Sequence, residues 1–299
     1  MACATPAWAA VGDVGVYTAP ERSFRTASYW IEGVDGVVLV DTQFLPKEGL
    51  LAVQQAEQAT GKKVTTAIVL HPNPDKFNGT AALQARGIRV ITSAQVKALI
   101  PAVHRIRLGW FFEDYKPDYP RDAALPEVFG DSTTTLIVAG LTLKLHVLGA
   151  GSSGAHVVLQ TVSKAPPQMS SQTSPNSIDA VFVGDLVNPD NHAWLELGLV
   201  DAWLQRLAEI QALKPGIVYP GRGGPGGPAL LDQQAQYLKR VQQRVRNEGP
   251  SGKLGFFTKL KLQSAIESDH PQLRLPIFMR DGLAAVWQSE AAAAKPNKP

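Results

Sequence analysis

The sequence predicts an α/β protein with a four-layer arrangement, and three observations lead to that prediction. Short apolar runs rich in β-branched residues alternate with segments whose apolar residues recur at helical spacing. The strand-like runs fall into two groups, and helical segments follow each group. The 299 residues are 44% hydrophobic and 18% charged, which excludes a disordered or fibrous chain and is enough for a sizeable core.

The first half begins with two apolar runs, residues 27–31 and 37–40, joined by a turn-forming Glu-Gly-Val-Asp-Gly segment that favours a β-hairpin. Pro46 then opens a helical pattern that closes at Gly61, and residues 64–70 form a nearly all-apolar run. This run predicts a buried strand that ends in the loop His-Pro-Asn-Pro-Asp-Lys-Phe-Asn-Gly, residues 71–79. Because α/β proteins bind ligands at the carboxyl ends of their strands, this loop is the first candidate for chemistry.

A further helix (about residues 80–86) and strand (88–92) repeat the pattern, and residues 101–130 then read as an irregular insertion. Aromatic side chains are concentrated in it, namely Trp110, Phe111, Phe112, Tyr115 and Tyr119. Such an aromatic excursion indicates either a lid or substrate wall, or a satellite hydrophobic cluster under a loop.

The second half predicts strands at residues 133–138, 141–147 and 156–162, with a Gly-rich loop at 149–154. A Pro-, Ser- and Gln-rich segment, 164–177, is expected to be an exposed insertion. Another buried strand, 180–183, ends in Gly184-Asp185. A helix (201–213), a short strand (217–219) running into a Pro-Gly-Arg-Gly-Gly loop, and a helix (230–245) complete the pattern.

The domain boundaries expected from these patterns are a flexible lead at residues 1–10, one domain over 11–285 and a disordered tail over 286–299. No apolar stretch approaches 18 residues, so no membrane span is expected. Residues 1–10 lack the basic and apolar regions of a signal peptide, which makes the cytoplasm the default location. The single cysteine, Cys3, allows neither an internal disulfide nor a cysteine-based zinc site.

The net charge of +3 gives only mild attraction to anions. The one dense basic run, Lys239, Arg240, Arg244 and Arg246, lies in a predicted helix and is expected to be a solvated helix face. Without a basic stripe, nucleic-acid binding is not expected.

Five landmarks in order along residues 11–247 make the chain resemble the metallo-β-lactamase superfamily. They are the strand end Val40-Asp41-Thr42, the loop at His71, the Gly-rich loop at Gly149, the strand end Gly184-Asp185 and the loop Pro220-Gly221-Arg222-Gly223. The resemblance implies an αββα sandwich with a site at one edge, where the family commonly binds two zinc ions and hydrolyses its substrate with a metal-bound hydroxide.

The resemblance also implies a ligand set, and this sequence departs from it. His71, Asp75 and Asp185 match the family's ligands. Four other positions, where the family has histidine, hold different residues: Asn73, Lys76, Ser152 and Arg222. Asparagine and serine coordinate zinc poorly beside imidazole, and arginine has no lone pair to offer because it does not deprotonate in proteins.

Charge then indicates what has replaced the metals. If they converge, Lys76 and Arg222 neutralise Asp75 and Asp185 without any metal. We therefore expect a metal-free polar network with no cofactor, in a protein that has lost the hydrolytic zinc centre. It would act as a small-molecule binding module, suited to a carboxylate or phosphate, or as an interaction module. The alternative is an atypical hydrolase, a lactonase, thioesterase or β-lactamase-like enzyme, with one zinc on His71, Asp75 and Asp185 and with His192 as an optional further ligand.

Several other residues have a weaker claim to function. Asp41 is expected to brace the floor of the site. Ser152 and His156 form a possible nucleophile and base, but no orienting carboxylate is apparent from the spacing. His192 is expected on a surface loop, and the remaining histidines are expected to be ordinary surface or structural residues, namely His104, His146 and His270.

Overall fold

The computed structural model describes residues 13–162 and 180–294, and it confirms the predicted four-layer α/β architecture. Two β-sheets pack face to face, with helices on the outside of each. The predicted lead at 1–10, the insertion at 164–177 and the last five residues of the predicted tail lie outside the described residues. None of the helices within the described ranges is long and apolar enough to cross a membrane.

The first sheet has six strands in the order of the chain, antiparallel from β1 to β3 and parallel from β3 to β6. Its strands are β1 (Val14–Thr18), β2 (Ala27–Glu32), β3 (Val37–Val40), β4 (Val64–Ile68), β5 (Arg89–Ser93) and β6 (Glu127–Gly130). The helices of this half are α1 (Pro46–Thr60), α2 (Pro74–Phe77), α3 (Thr80–Gln84) and α4 (Ala94–Tyr115). The predicted hairpin of residues 27–31 and 37–40 corresponds to β2 and β3.

The second sheet has five strands in the order β11-β10-β9-β8-β7, and only β10 and β11 run parallel. Its strands are β7 (Thr134–Val138), β8 (Leu141–Leu148), β9 (His156–Thr161), β10 (Ala180–Gly184) and β11 (Ile217–Pro220). The helices that cover it are α5 (Val200–Ala212), α6 (Ala229–Asn247), α7 (Phe256–Asp269) and α8 (Pro276–Ala293).

Two hydrophobic cores hold the layers together, and alternate side chains along the strands of the second sheet belong to one core or the other. In β9, Val157 and Leu159 point into the core between the sheets, whereas Val158 points into the core under the C-terminal helices. In β10, Phe182 joins the first core and Val181 joins the second. This period of two is what a sheet covered on both faces requires.

Two sequence predictions about helices are wrong, and β6 forms inside the segment that was predicted to be irregular. The segment predicted to be irregular from residue 101 continues α4 as far as Tyr115, although Pro101 lies inside the helix. The Ser93 side chain caps α4 by accepting a hydrogen bond from the Val96 amide, so the helix begins well before the proline.

The second wrong prediction is the disordered tail, because α8 extends to Ala293. Trp287 and Glu290 are buried near its end. Glu290 accepts hydrogen bonds from Gln242 and Arg246 of α6, and these contacts hold a segment whose alanine-rich sequence looks featureless.

Candidate functional site

The candidate site lies where the carboxyl ends of four strands meet. His71 follows β4, Asp185 follows β10, Arg222 follows β11 and Asp41 follows β3. Hydrogen bonds between the two halves hold this edge together: the Ala27 amide donates to the Gly221 carbonyl at 3.0 Å, the Tyr29 hydroxyl to the Pro220 carbonyl at 3.0 Å and the Val157 amide to the Leu70 carbonyl at 2.7 Å. Residues distant in sequence are thereby brought together at one place.

Five charged side chains form a buried group there, which we call the charge cluster: Asp41, Asp75, Lys76, Asp185 and Arg222. Arg222 bridges two carboxylates, with Nη2 at 2.7 Å from Asp75 Oδ2 and Nη1 at 2.5 Å from Asp185 Oδ2. Lys76 Nζ lies 3.1 Å from Asp75 Oδ2 and 3.1 Å from Asp185 Oδ1. Both cations expected from the sequence therefore converge on the same pair of aspartates.

Backbone geometry fixes this arrangement tightly. Gly184, with φ of +53°, turns the chain at the end of β10 just before Asp185. A Cβ on Gly221 would lie 2.3 Å from Asp185 Oδ1, so only glycine lets the β11 loop approach that carboxylate. Arg222 is further held by its Nε, which donates to the Phe24 carbonyl at 2.9 Å.

The ionisation of the cluster follows from its contacts. Burial alone would raise the pKa of Asp75 and of Asp185, but the neighbouring Lys76 and Arg222 outweigh it and hold both below the ordinary value. Burial would likewise lower the pKa of Lys76, yet the carboxylates of Asp185 and Asp75 raise it. Both aspartates and the lysine are therefore charged at neutral pH.

Asp41 differs from the other two aspartates. Burial raises its pKa to about 6, even though Lys76 lies 3.8 Å away and the Leu70 amide donates to Oδ1 at 2.9 Å. Its backbone has φ of +66°, and its carbonyl accepts a hydrogen bond from Ser28 Oγ. These contacts fit a residue that holds the backbone at the floor of the candidate site in place.

The other sequence candidates surround the cluster without joining its ion pairs. His71 is fully buried, and its Nε2 lies 3.7 Å from Asp185 Oδ2, too far for a hydrogen bond. The Asn73 backbone amide donates to His71 Nδ1 at 3.4 Å. Ser152 is buried beside His156, with Oγ at 3.5 Å from Nε2.

The Ser152–His156 pair lacks the geometry of a nucleophile and its base. His156 Nε2 already accepts a hydrogen bond from the Ser153 amide at 3.0 Å. Its Nδ1 has no hydrogen-bond partner in the described part of the chain, so no carboxylate orients the ring. Burial lowers the pKa of His156 well below its ordinary value, which makes it a neutral structural histidine.

The expectation that His192 is a surface residue is wrong. It is 1% exposed, and its Nδ1 lies 3.0 Å from the Tyr237 hydroxyl on α6. The pKa of His192 is lowered to about 4, mainly by burial and to a smaller extent by the neighbouring His270. The other two histidines with described polar contacts are structural, His104 against the Arg121 carbonyl and His146 against Gln160.

The donor set does not fit the paired zinc ions that the resemblance implies. Across residues 13–162 and 180–294, no group of three or more His, Cys, Asp or Glu side chains is placed to hold a metal ion. Lys76 Nζ lies within 3.1 Å of both carboxylates that would have to turn to a metal. Protonated lysine and arginine donate hydrogen bonds and offer no lone pair.

A cavity of about 380 Å³ opens above the cluster. Its floor includes Asp75, Asp185 and Arg222, and most of its wall is apolar. We call it the aromatic pocket, lined by Phe24, Phe44, Asn73, Pro74, Asp75, Arg107, Trp110, Phe111, Asp185, Trp194, Arg222, Ile277, Phe278 and Asp281. Its volume is in the range of small-molecule sites.

Two helices supply most of its wall. Positions 107, 110 and 111 share one face of α4, and positions 277, 278 and 281 share one face of α8. The aromatic segment predicted from the sequence serves both purposes: Trp110 and Phe111 line the pocket, and Tyr119 packs with Phe44 in a small core against which Phe111 also packs. The lid-or-wall alternative and the satellite-cluster alternative each describe part of it.

Sequence reasoning missed the rest of the wall, because those residues belong to no motif. Trp194 lies in the connection between β10 and α5, and Phe278 and Asp281 lie on α8. The helical spacing of Ile277 and Asp281 was the one available signal.

Solved structures share this architecture. A metallo-β-lactamase from Pontibacter korlensis is 21% identical, with 72% of this chain and 87% of that chain covered and a TM-score of 0.52. The mono-zinc form of the metallo-β-lactamase FIM-1 from Pseudomonas aeruginosa is 17% identical (76% and 90% covered, TM-score 0.52). A metallo-β-lactamase from Hirschia baltica is 20% identical (75% and 90% covered, TM-score 0.50).

No protein-family profile and no curated protein sequence matches the chain. The structural likeness, at these identities, shows the fold. The chain therefore has the metallo-β-lactamase fold, as the landmarks in its sequence indicate, and its chemistry has to be argued from its own residues.

Proposed function

We propose that this protein is a small-molecule-binding protein that has lost the dinuclear zinc centre of the metallo-β-lactamase fold, and hydrolytic activity with it. One observation carries the proposal: Lys76 and Arg222 pair with the same two aspartates, and all four side chains are buried. By the resemblance of the landmark loops, the two cations would occupy the place that divalent ions hold in the zinc enzymes of this fold.

Electrostatics supports the exchange. A dication about 4 Å from a single fixed cation is opposed by about 8 kcal/mol at an effective dielectric constant of 20, before the carboxylates compensate. Lys76 and Arg222 would both oppose it, and neither side chain can swing out without leaving buried aspartates unpaired.

The one-metal hydrolase considered from the sequence has little support. It needs His71, Asp75 and Asp185, and the optional further ligand His192 is engaged with Tyr237 in the other hydrophobic core. Asp75 and Asp185 are each bound by two cations. These ion pairs favour the metal-free cluster over this alternative.

The test restores histidine at the four altered positions, in the variant Asn73→His/Lys76→His/Ser152→His/Arg222→His. We expect this variant to take zinc from a chromogenic chelator, because it regains the ligands and loses both cations. We expect the unmodified protein to leave the chelator's zinc untouched.

A matched control separates ligand count from charge. The variant Asn73→His/Ser152→His adds two ligands beside His71 but keeps both cations, and we expect it to bind zinc far more weakly than the fourfold variant. Zinc retained by the unmodified protein in the chelator assay would overturn the proposal. A fourfold variant that folds, by circular dichroism, and still refuses zinc would overturn the placement of these loops as former ligand loops.

A further inference from the structure

The aromatic pocket has no free cation to offer a ligand. Each Arg222 nitrogen already donates to Phe24, Thr26 or one of the two aspartates of the cluster, and Lys76 is fully buried beneath. This removes the basis for the carboxylate or phosphate ligand expected from the sequence, since both cations named for that role are consumed within the protein.

Arg107, the third cation of the pocket, is also paired within the protein. Arg107 forms a two-pronged ion pair with Glu196, and its Nη1 lies 2.9 Å from Glu196 Oε1. Its guanidinium also lies over the ring of Trp110, at 4.1 Å from the centroid, and near the ring of Trp194, at 5.3 Å. A guanidinium with its donors on a carboxylate and its face on indole rings is not available to an anion.

Two polar side chains of the wall remain without a partner. Asp281, exposed on α8 at the rim, makes no hydrogen bond or ion pair within the described residues, and neither does the Asn73 side-chain amide. The free charge of the pocket is thus a carboxylate. Around the whole site, three cationic side chains stand against five carboxylates: Lys76, Arg107 and Arg222 against Asp41, Asp75, Asp185, Glu196 and Asp281.

We propose that the aromatic pocket binds an amine with a flat apolar body. The body packs between the walls of α4 and α8, against rings such as Trp110 and Phe278, and the protonated amine faces Asp281 at the rim. The Asn73 amide offers one hydrogen bond to a neutral polar group of the same molecule. This inference rests on the proposed function, because it assumes that the cluster beneath is metal-free.

The test compares three probes of one shape in the full-length protein by isothermal titration calorimetry at neutral pH. They are the cation 2-(1-naphthyl)ethylamine, the neutral alcohol 2-(1-naphthyl)ethanol and the anion 1-naphthylacetate, which is the carboxylate of 1-naphthaleneacetic acid. We expect the amine to bind most tightly, then the alcohol, and the carboxylate most weakly.

Two variants locate the interaction. Asp281→Asn should weaken the amine by about two- to fivefold, as for an exposed charge pair, and leave the alcohol unchanged. Asp232→Asn is the matched control, because Asp232 is an exposed helical aspartate outside the pocket, and it should change nothing. Trp110→Ala should weaken all three probes by about two- to tenfold through lost aromatic contact.

The inference fails if 1-naphthylacetate binds most tightly, if Asp281→Asn affects amine and alcohol equally, or if no probe binds more tightly than about 1 mM. The zinc content of the same sample distinguishes the two proposals. A zinc-free protein with the wrong probe order overturns the ligand class alone, whereas bound zinc overturns the proposed function.

Discussion

Two ion-pair networks in this protein use the same residue types in opposite surroundings. The charge cluster is buried, with the side chains of Lys76 and Arg222 only 0% and 4% exposed. A second network, which we call the helix network, joins Arg240 and Arg244 of α6 to Asp269 of α7, and its two arginines are 49% and 33% exposed. The basic run predicted as a solvated helix face is thus partly solvated and also ties α6 to its neighbour.

The difference between the networks lies in what happens when one partner is removed. In the helix network, water and salt replace a lost partner at small cost. In the charge cluster, a lost partner leaves a charge in a place that water does not reach. The helix network therefore contributes little specificity, whereas the charge cluster fixes the floor of the pocket.

Arg222→Ala should give the largest effect. It leaves Asp75 and Asp185 with Lys76 as their only cation, and breaking a buried pair in this way costs about 3–5 kcal/mol of unfolding free energy. Urea unfolding at neutral pH measures it. Arg222→Lys, which keeps the charge but not the two-pronged geometry, should fall in between. An Arg222→Ala protein as stable as the original would mean that the cluster is not a coupled unit.

Asp41→Asn should give the next largest effect, which appears as a change in how the unfolding free energy depends on pH. The pKa of Asp41 is raised to about 6 by burial, so its contribution to stability is present below the unfolded value near 4 and is lost as pH rises through 6. The asparagine has no such loss and tolerates the positive φ. As the pH rises from 4 to 7, the unfolding free energy of the variant should increase by about 3 kcal/mol relative to that of the original protein.

Asp75 and Asp185 act in the opposite direction, because their pKa values are lowered; their contribution is lost as pH falls below the ordinary range. Since both proteins carry them, that acid loss should largely cancel when the variant is compared with the original. A constant difference in stability across the pH range would show that folding does not shift the pKa of Asp41.

Arg240→Ala, in the helix network, should give the smallest effect. We expect less than about 1 kcal/mol, shrinking further in high salt, because the pair with Asp269 is exposed to solvent. The same urea titration, repeated at two salt concentrations, measures it. A cost comparable to that of Arg222→Ala would remove the distinction between the two networks.

The sequence was sufficient for the fold because strands and turns are encoded locally. The run at residues 64–70 and the hairpin before it correspond to β4, β2 and β3. The errors came where tertiary contacts override a local signal: Pro101 does not break α4, and Glu290 anchors a helix end that the alanines alone do not specify.

The site was predictable only in part. The convergence of Lys76 and Arg222 on two aspartates was a condition of the prediction, on positions that the resemblance implied, and the structure meets that condition. The aromatic pocket could not be foreseen, because α4 and α8 are far apart in sequence and only packing brings Trp110 and Phe278 to one cavity. The burial of His192 also depends on packing, against Tyr237.

The most direct test of the central claim, that two side-chain cations stand where divalent ions stood, is the metal content of the unmodified protein. It should be purified without chelator, dialysed, and measured by inductively coupled plasma mass spectrometry. We expect zinc far below one equivalent per chain. Zinc that stays near two equivalents per chain after dialysis would contradict the claim and return the protein to the metal-dependent hydrolases.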